Sequence, residues 1–344
     1  MNVKMKVSYL LVLCGLAGLC AFMMPTLKAE AAGPVIVIDA GHGGTGGTNE
    51  GAMYNGYMEK NLTLVIANAM AEELSKYEGI TVYQTRTTDT EISLTDRAAY
   101  AASVHADFLY SIHLNASAAH DRFGSEVWVS AFTQNYVKGY TFGTIAEEEL
   151  AGLGIYSKGV KTKLGKNGDY YGIIRNCDSY GIPSCIIEHC YMDNTRDSSF
   201  YDSNEKLAAL GKADATAVAK YYGLKSTELG VDYSGYQKVK VSTPTSAVTQ
   251  DTTAPEVCQI TSVSYDSTAK TTVINLKASD SNGKVIYYDY SINGGITYSS
   301  FCKFDTGGDN GNISINLKGG SGTIICRAYN QYDGVTTSNT LQIY

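Results

Sequence analysis

Two histidines and two carboxylates stand where this chain can bring them together. His42 lies in Asp39-Ala40-Gly41-His42-Gly43-Gly44, directly after the β-branched run Val35-Ile36-Val37-Ile38. His113 closes a second strand-like run, Leu109-Tyr110-Ser111-Ile112-His113, and Glu188 closes a third, Cys185-Ile186-Ile187-Glu188. Open α/β sheets place ligands at the carboxyl ends of their strands, so the three runs deliver two imidazoles and a carboxylate to one edge. Glu59 precedes Asn61, where a helix begins, and can point back toward that edge. Two His and one carboxylate leave an open fourth position, the arrangement a catalytic zinc requires. A second carboxylate would accept a proton from water and pass it to a leaving amine. Spacing alone leaves plainer readings open: a strand-terminal His can be structural, and a Glu at a helix start can serve only the helix dipole.

The elements that must position these groups are legible as periodicities. The run 35–38 is continuously apolar, as in a strand buried on both faces of a parallel sheet. Asn61 to Tyr77 carries Leu62, Val65, Ile66, Ala69, Met70 and Leu74 on one helical face. Ser93-Leu94-Thr95-Asp96 resembles a capping box opening a helix to about Val104. Strands are expected at 81–85, 107–112, 126–130 and 184–187, and helices near 142–153 and 204–222. Alternating β and α units predict an α/β sandwich with a mostly parallel sheet over residues 32–224. Residues 225–255, rich in Ser, Thr, Val, Gly and Pro, have no sustained period and read as a linker with few contacts crossing it. From residue 256 to 344, short β-type runs punctuated by Gly, Asn and Asp predict a smaller all-β, immunoglobulin-like sandwich.

Composition narrows the setting. The 344 residues carry a net charge of -7, which argues against a nucleic-acid partner held by phosphate neutralisation. Lys4 and Lys6 precede an apolar run to about Leu27, and Ala29-Glu30-Ala31 has the small-x-small form of a signal-peptidase site. Residues 1–31 are therefore expected to be a cleaved signal peptide, leaving an exported protein with no stable membrane span. The cysteines beyond it show no CxxC spacing and are expected to be buried thiols.

A longer series of motifs goes further. Ile38-Asp39-Ala40-Gly41-His42-Gly43-Gly44, Asn49-Glu50-Gly51-Ala52 with Asn55-Gly56 and Glu59-Lys60, Thr85-Arg86 with Asp89 and Arg97, Ser111-Ile112-His113-Leu114-Asn115-Ala116, and Ile187-Glu188 with Asn194 resemble, in order, the blocks of the zinc-dependent N-acetylmuramoyl-L-alanine amidases. The resemblance implies a three-layer α/β/α sandwich with a mixed sheet. It implies one Zn2+ held by His42, Glu59 and His113, with Glu188 as general base and acid on the amide between muramic acid and L-alanine. Two departures stand out. His189-Cys190-Tyr191 replaces the family's usual apolar residue, Gly and Phe, and the loop 45–49 lacks an Asp-x-Gly.

Other residues carry weaker expectations. Asn115 would hydrogen-bond substrate or orient the ligand loop; Arg86 and Arg97 would meet peptide carboxylates or, more plainly, pair with Asp89 or Asp96. His189 turns to the face opposite Glu188, as a structural or partly exposed residue. His105 and His120 read as structural.

The leading expectation is a secreted, cell-wall-associated hydrolase with peptidoglycan as substrate, whose tail positions it on the wall or on a cell-surface partner, or only spaces it. A zinc exopeptidase would need a second metal and a terminus-binding group, for which the sequence offers no residues. A catalytically silent wall-binding protein would be expected to lack at least one of His42, Glu59, His113 and Glu188.

Overall fold

The structure, a computed structural model, describes residues 33–45, 49–306, 310–318 and 321–343. The expected signal peptide and the centre of the loop 45–49 lie outside the described residues. Six strands form the principal sheet: β1 Val35–Ala40, β2 Thr81–Gln84, β3 Phe108–Asn115, β4 Ser125–Val129, β5 Ser157–Lys161 and β6 Ser184–Tyr191. Their order is β2-β1-β3-β6-β4-β5, parallel throughout except for the antiparallel β6/β4 pair. The sheet is thus mixed and mostly parallel.

Side-chain alternation along the central strands explains the layers. Ile36 and Ile38 of β1 pack with helices α1 (Glu59–Leu74), α3 (Thr133–Gly152) and α5 (Asn204–Tyr222) in one buried cluster. Val37, Leu109 and Ile186 face the other way, onto α2 (Leu94–Ser103) and α4 (Gly172–Ser179). Leu62, Ile66, Met70 and Leu74 of α1 recur at the helical period and are buried. Ser93 caps α2 as its sequence suggests, accepting from the Asp96 amide at 3.1 Å. Where α5 crosses α1, Gly211 permits the approach: a Cβ there would lie 2.4 Å from the Ile66 carbonyl oxygen.

Beyond residue 255 the chain is all β. One sheet contains β7 (Val257–Asp266), β8 (Thr271–Ser279) and β11 (Gly311–Lys318); the other contains β9 (Val285–Ser291), β10 (Cys302–Lys303), β12 (Gly322–Asn330) and β13 (Val335–Thr337), with β14 (Leu341–Ile343) on β12. Ile260, Leu276, Ile315, Ile324 and Cys326 fill the space between the sheets. The cysteines at 177, 185, 190, 258, 302 and 326 are free thiols, buried except for the partly exposed Cys302.

The expectation of few crossing contacts is corrected here. Lys225–Ser226 and Val231–Asp232 form a two-stranded ribbon, and Tyr233 and Tyr236 pack against the first core. Val248 donates its amide to Ala131, and its carbonyl accepts from Thr162. The Tyr287 hydroxyl of the tail donates to the Phe123 carbonyl and accepts the Phe123 amide. Phe123, Tyr287, Phe301 and Tyr329 form a buried aromatic cluster shared by both parts. Composition identified the irregular backbone; it carries no information on whether aromatic side chains then dock. Among the described residues, no helix is long and apolar enough to cross a membrane.

Candidate active site

The carboxyl end of β1 leads into Gly41 and His42. Gly41 donates to the Ile112 carbonyl at 3.0 Å, and a Cβ on it would lie 2.4 Å from Cε1 of His113, so a side chain there would collide with the imidazole. His42 has a φ of 61°, a left-handed conformation uncommon for a residue with a side chain. Two buried arginines hold this turn. Arg97 donates to the His42 carbonyl at 2.6 Å and to the Ala40 carbonyl at 2.7 Å, while Arg86 reaches the carbonyls of Ala40, Gly41 and Lys60 at 2.8–2.9 Å.

These placements correct the sequence expectation for the arginines. Arg97 pairs with Asp39 at 2.6 Å rather than with Asp96, and Lys60, not Arg86, binds Asp89 at 2.9 Å. Asp39, inside an apolar strand, also accepts from Thr85 and Ser111. Burial pushes its carboxyl up, but the Arg97 charge and these hydrogen bonds outweigh it and hold the group below the usual carboxylate range.

Glu59 is the first residue of α1 and is 4% exposed. Its carboxylate accepts from the amides of Ala52 at 2.8 Å and Leu114 at 3.1 Å, which fixes both oxygens. His42 Nε2 lies 3.1 Å from Oε2, and His113 Nδ1 lies 3.0 Å from Oε1. One ligand atom from each of the three residues falls within 4.8 Å of the others. The far nitrogens have partners of their own. Nδ1 of His42 faces the Asn49 amide oxygen at 3.2 Å. Nε2 of His113 faces the Ser111 hydroxyl at 3.2 Å, whose proton goes to Asp39. With the ring proton on that far nitrogen, each imidazole would turn a lone pair toward Glu59; with it on the near nitrogen, the ring would donate to the carboxylate. The two imidazoles and the Glu59 carboxylate together form a group that could hold a metal ion. The donor set, two imidazole nitrogens and one carboxylate, fits zinc with a position to spare.

Glu188 stands across the cavity, on β6 beside His113 of β3. Its Oε2 is buried with no hydrogen-bond partner among the described residues. Burial first, then the charges of Glu59 and Glu126, push its carboxyl well above the usual range. Glu126, opposite Glu188 on β4, is the nearest alternative carboxylate but is fully engaged. Its Oε2 binds Lys158 at 2.8 Å and Lys161 at 2.6 Å, and its Oε1 accepts from Asn115 and Trp128. Burial raises the Glu126 pKa, yet the two ammonium groups overcome that and hold it at about 2. Glu188 is thus the carboxylate left with an oxygen to use.

A cavity of about 750 Å³ opens over His42, Glu59, His113 and Glu188, with Asn115 and Tyr171 on its wall. His189 is fully buried, donating to the His113 carbonyl at 2.9 Å and to Asp214 at 2.8 Å, so it braces the strand rather than lining the cavity. His120 pairs with Asp193 at 2.8 Å. The pairing of β6 with β3 shifts register between Glu188 and Tyr191, where the sequence departs from the family pattern. Sequence reasoning missed Ser111 and the Lys158–Lys161 pair; a Ser two residues before a His is a weak signal, and lysines read as surface.

Comparison with known proteins now decides the lineage. Residues 36–220 match a family model described as N-acetylmuramoyl-L-alanine amidase. The chain belongs to that family. This amidase is 31% identical over 209 residues to the sporulation-specific N-acetylmuramoyl-L-alanine amidase of Bacillus subtilis, covering 60% of this chain and 73% of that protein. It is 31% identical over 192 residues to the amidase CwlM of Bacillus licheniformis, covering 55% of this chain and 69% of that protein. Among solved structures, Cwp6 from Clostridium difficile superposes with a TM-score of 0.51 at 30% identity, over 56% of this chain and 30% of that one.

Proposed function

We propose that this amidase is a secreted, zinc-dependent peptidoglycan hydrolase that cleaves the amide between the lactyl group of muramic acid and L-alanine. His42, Glu59 and His113 hold the metal, and Glu188 is the general base and acid. The observation that supports this reading is the convergence of two imidazoles and one carboxylate, with ligand atoms within 4.8 Å of one another, beside one buried, unpartnered carboxyl oxygen. Zinc bound there supplies Lewis acidity, polarising the scissile carbonyl and making water acidic near neutral pH. Glu188 takes the proton of the attacking water and delivers it to the amide nitrogen as the C–N bond breaks, leaving a carboxylate and the free amine of alanine. Asn115, tied to Glu126 at 2.8 Å, orients the wall of the cavity.

We assign residues 1–31 to a signal peptide, 32–224 to the catalytic domain, 225–255 to a docked connector and 256–344 to an immunoglobulin-like domain. That assignment, with the family's cell-wall substrate, supports a location at the wall. The reading is tested by metal analysis: about one zinc per chain is expected, falling well below that in His113→Ala. Wild-type zinc content in the variant would reject the ligand set.

A further inference from the structure

The cavity over Glu188 does not end at Asn115. It shares Asn115, Ala116 and Tyr171 with a second cavity of about 370 Å³, and that one shares Glu126, Tyr191 and Asp333 with a third of about 360 Å³. The third runs between β5 and the tail loop Asn330–Gly334. Its floor holds two lysines on a single carboxylate: Lys158 and Lys161, 2% and 3% exposed, both bind Oε2 of Glu126. Asp251 and Asp333 line the same cavity but are bound to Asn330 and Arg122, so Glu126 is the carboxylate in direct contact with both ammonium groups. An ammonium has three donors, so two of them on one carboxylate oxygen leave donor capacity toward the cavity that a further carboxylate would take up.

Lys161 is the more available of the two. Lys158 has a second acceptor in the Tyr191 hydroxyl, whereas Glu126 is the sole hydrogen-bond acceptor of Lys161 among the described residues. Its ammonium lies between the rings of Trp128, at 5.3 Å, and Tyr332, at 5.6 Å. Tyr332 belongs to the tail. Its hydroxyl donates to the Thr162 carbonyl and accepts the Thr162 amide, and Asp333 beside it binds Arg122 at 2.8 Å. The tail loop is thereby fixed as a wall of the groove. Burial first, and then repulsion from Lys158, bring the Lys161 pKa down to about 8 against the pull of Glu126 and Asp333.

We propose that this floor is a carboxylate-binding subsite for the stem peptide, built jointly by β5 and the tail loop. It rests on the amidase reading: the bond cut at Glu188 joins a glycan to a peptide, and the peptide arm is the one that carries free carboxylates. The substrate's peptide runs from Glu188 past Asn115 and sets a carboxylate against Lys161 under Tyr332. The tail is then a specificity element of the catalytic groove.

The test uses the full chain and two soluble muramoyl peptides that differ only in whether a stem carboxylate is free or amidated. The wild type is expected to favour the free acid by about tenfold in kcat/KM, chiefly through KM, as one charge-assisted hydrogen bond would give. Lys161→Gln should bring that ratio to near one, Lys161→Arg should keep most of it, and Tyr332→Ala should reduce it from the tail side. Glu126 and Lys158 remain a matched pair in Lys161→Gln, so the variant is expected to fold. A wild-type ratio near one, or an undiminished ratio in Lys161→Gln, overturns the subsite. Calorimetric binding of the free and amidated cleaved peptides reads the subsite without turnover. If neither substrate is cleaved but the free-acid peptide still binds better, the amidase reading falls and the subsite stands; equal binding removes the subsite.

Discussion

Glu188 and Glu126 face each other across one strand pair and have opposite chemistry because their neighbours differ. Glu126 is neutralised by two lysines, whereas one oxygen of Glu188 has no partner. Glu188→Gln is therefore expected to lower the rate by ~10² to 10⁴ while leaving zinc content unchanged; turnover and metal analysis of the same sample check both halves. Glu147 shows how burial without counter-charge behaves away from the site. It accepts from Ser125 and from the Gly159 amide, its Oε1 has no partner, and burial pushes its carboxyl up to about 7. Below the ordinary carboxyl pKa of ~4.3 both folded and unfolded chains hold the proton. As pH rises from there through about 7 the unfolded chain releases it first, so this group's contribution to stability falls across that window and is flat above it. Glu147→Gln should gain on the wild type by up to ~3 kcal/mol between pH 4 and pH 8. Urea unfolding across that range measures the difference, and parallel curves would contradict it.

At the scale of elements, close approach outweighs intrinsic preference. Alanine at Gly211 would gain ~1 kcal/mol of helix propensity, but its Cβ would sit 2.4 Å from the Ile66 oxygen and 2.8 Å from the Met70 nitrogen, both in the backbone of α1. Gly211→Ala is expected to lose ~1–3 kcal/mol net, as overpacked sites do; a denaturant midpoint equal to or above the wild type's would refute this. The same competition explains what the sequence disclosed. β1, α1, the capped α2 and α5 were legible because local pattern and tertiary role agree in them. The metal-site residues were legible because chemistry limits their types. β5, Ser157–Lys161, was not, since a Lys-Gly-Val-Lys strand looks like surface until Glu126 is placed beside its lysines. The first two turns of α3 were hidden by Tyr and Gly, the latter including Gly139, where a Cβ would lie 2.8 Å from Val129. The partners of Arg86 and Arg97 were hidden because an arginine that binds backbone carbonyls leaves no charge pattern to read.

For the whole molecule, the docked tail changes what truncation should do. A chain ending at Lys225 would expose Phe123 and Tyr156, which in the full chain pack against Ile286, Tyr287, Phe301 and Tyr329. Uncovering one large aromatic costs ~2–3 kcal/mol, so the midpoint of thermal unfolding is expected to fall by roughly 5–10 °C. An unchanged midpoint would mean that the tail docks without stabilising its partner. The most direct test of the central claim is the bond that is cut. The full chain is incubated with purified peptidoglycan, alone, with a chelator, and with chelator followed by zinc, and the new chain ends are identified. The account predicts new amino-terminal alanine with no new reducing sugar ends, lost with the chelator and restored by zinc. Reducing ends in place of alanine amines, or cleavage indifferent to the chelator, would contradict it.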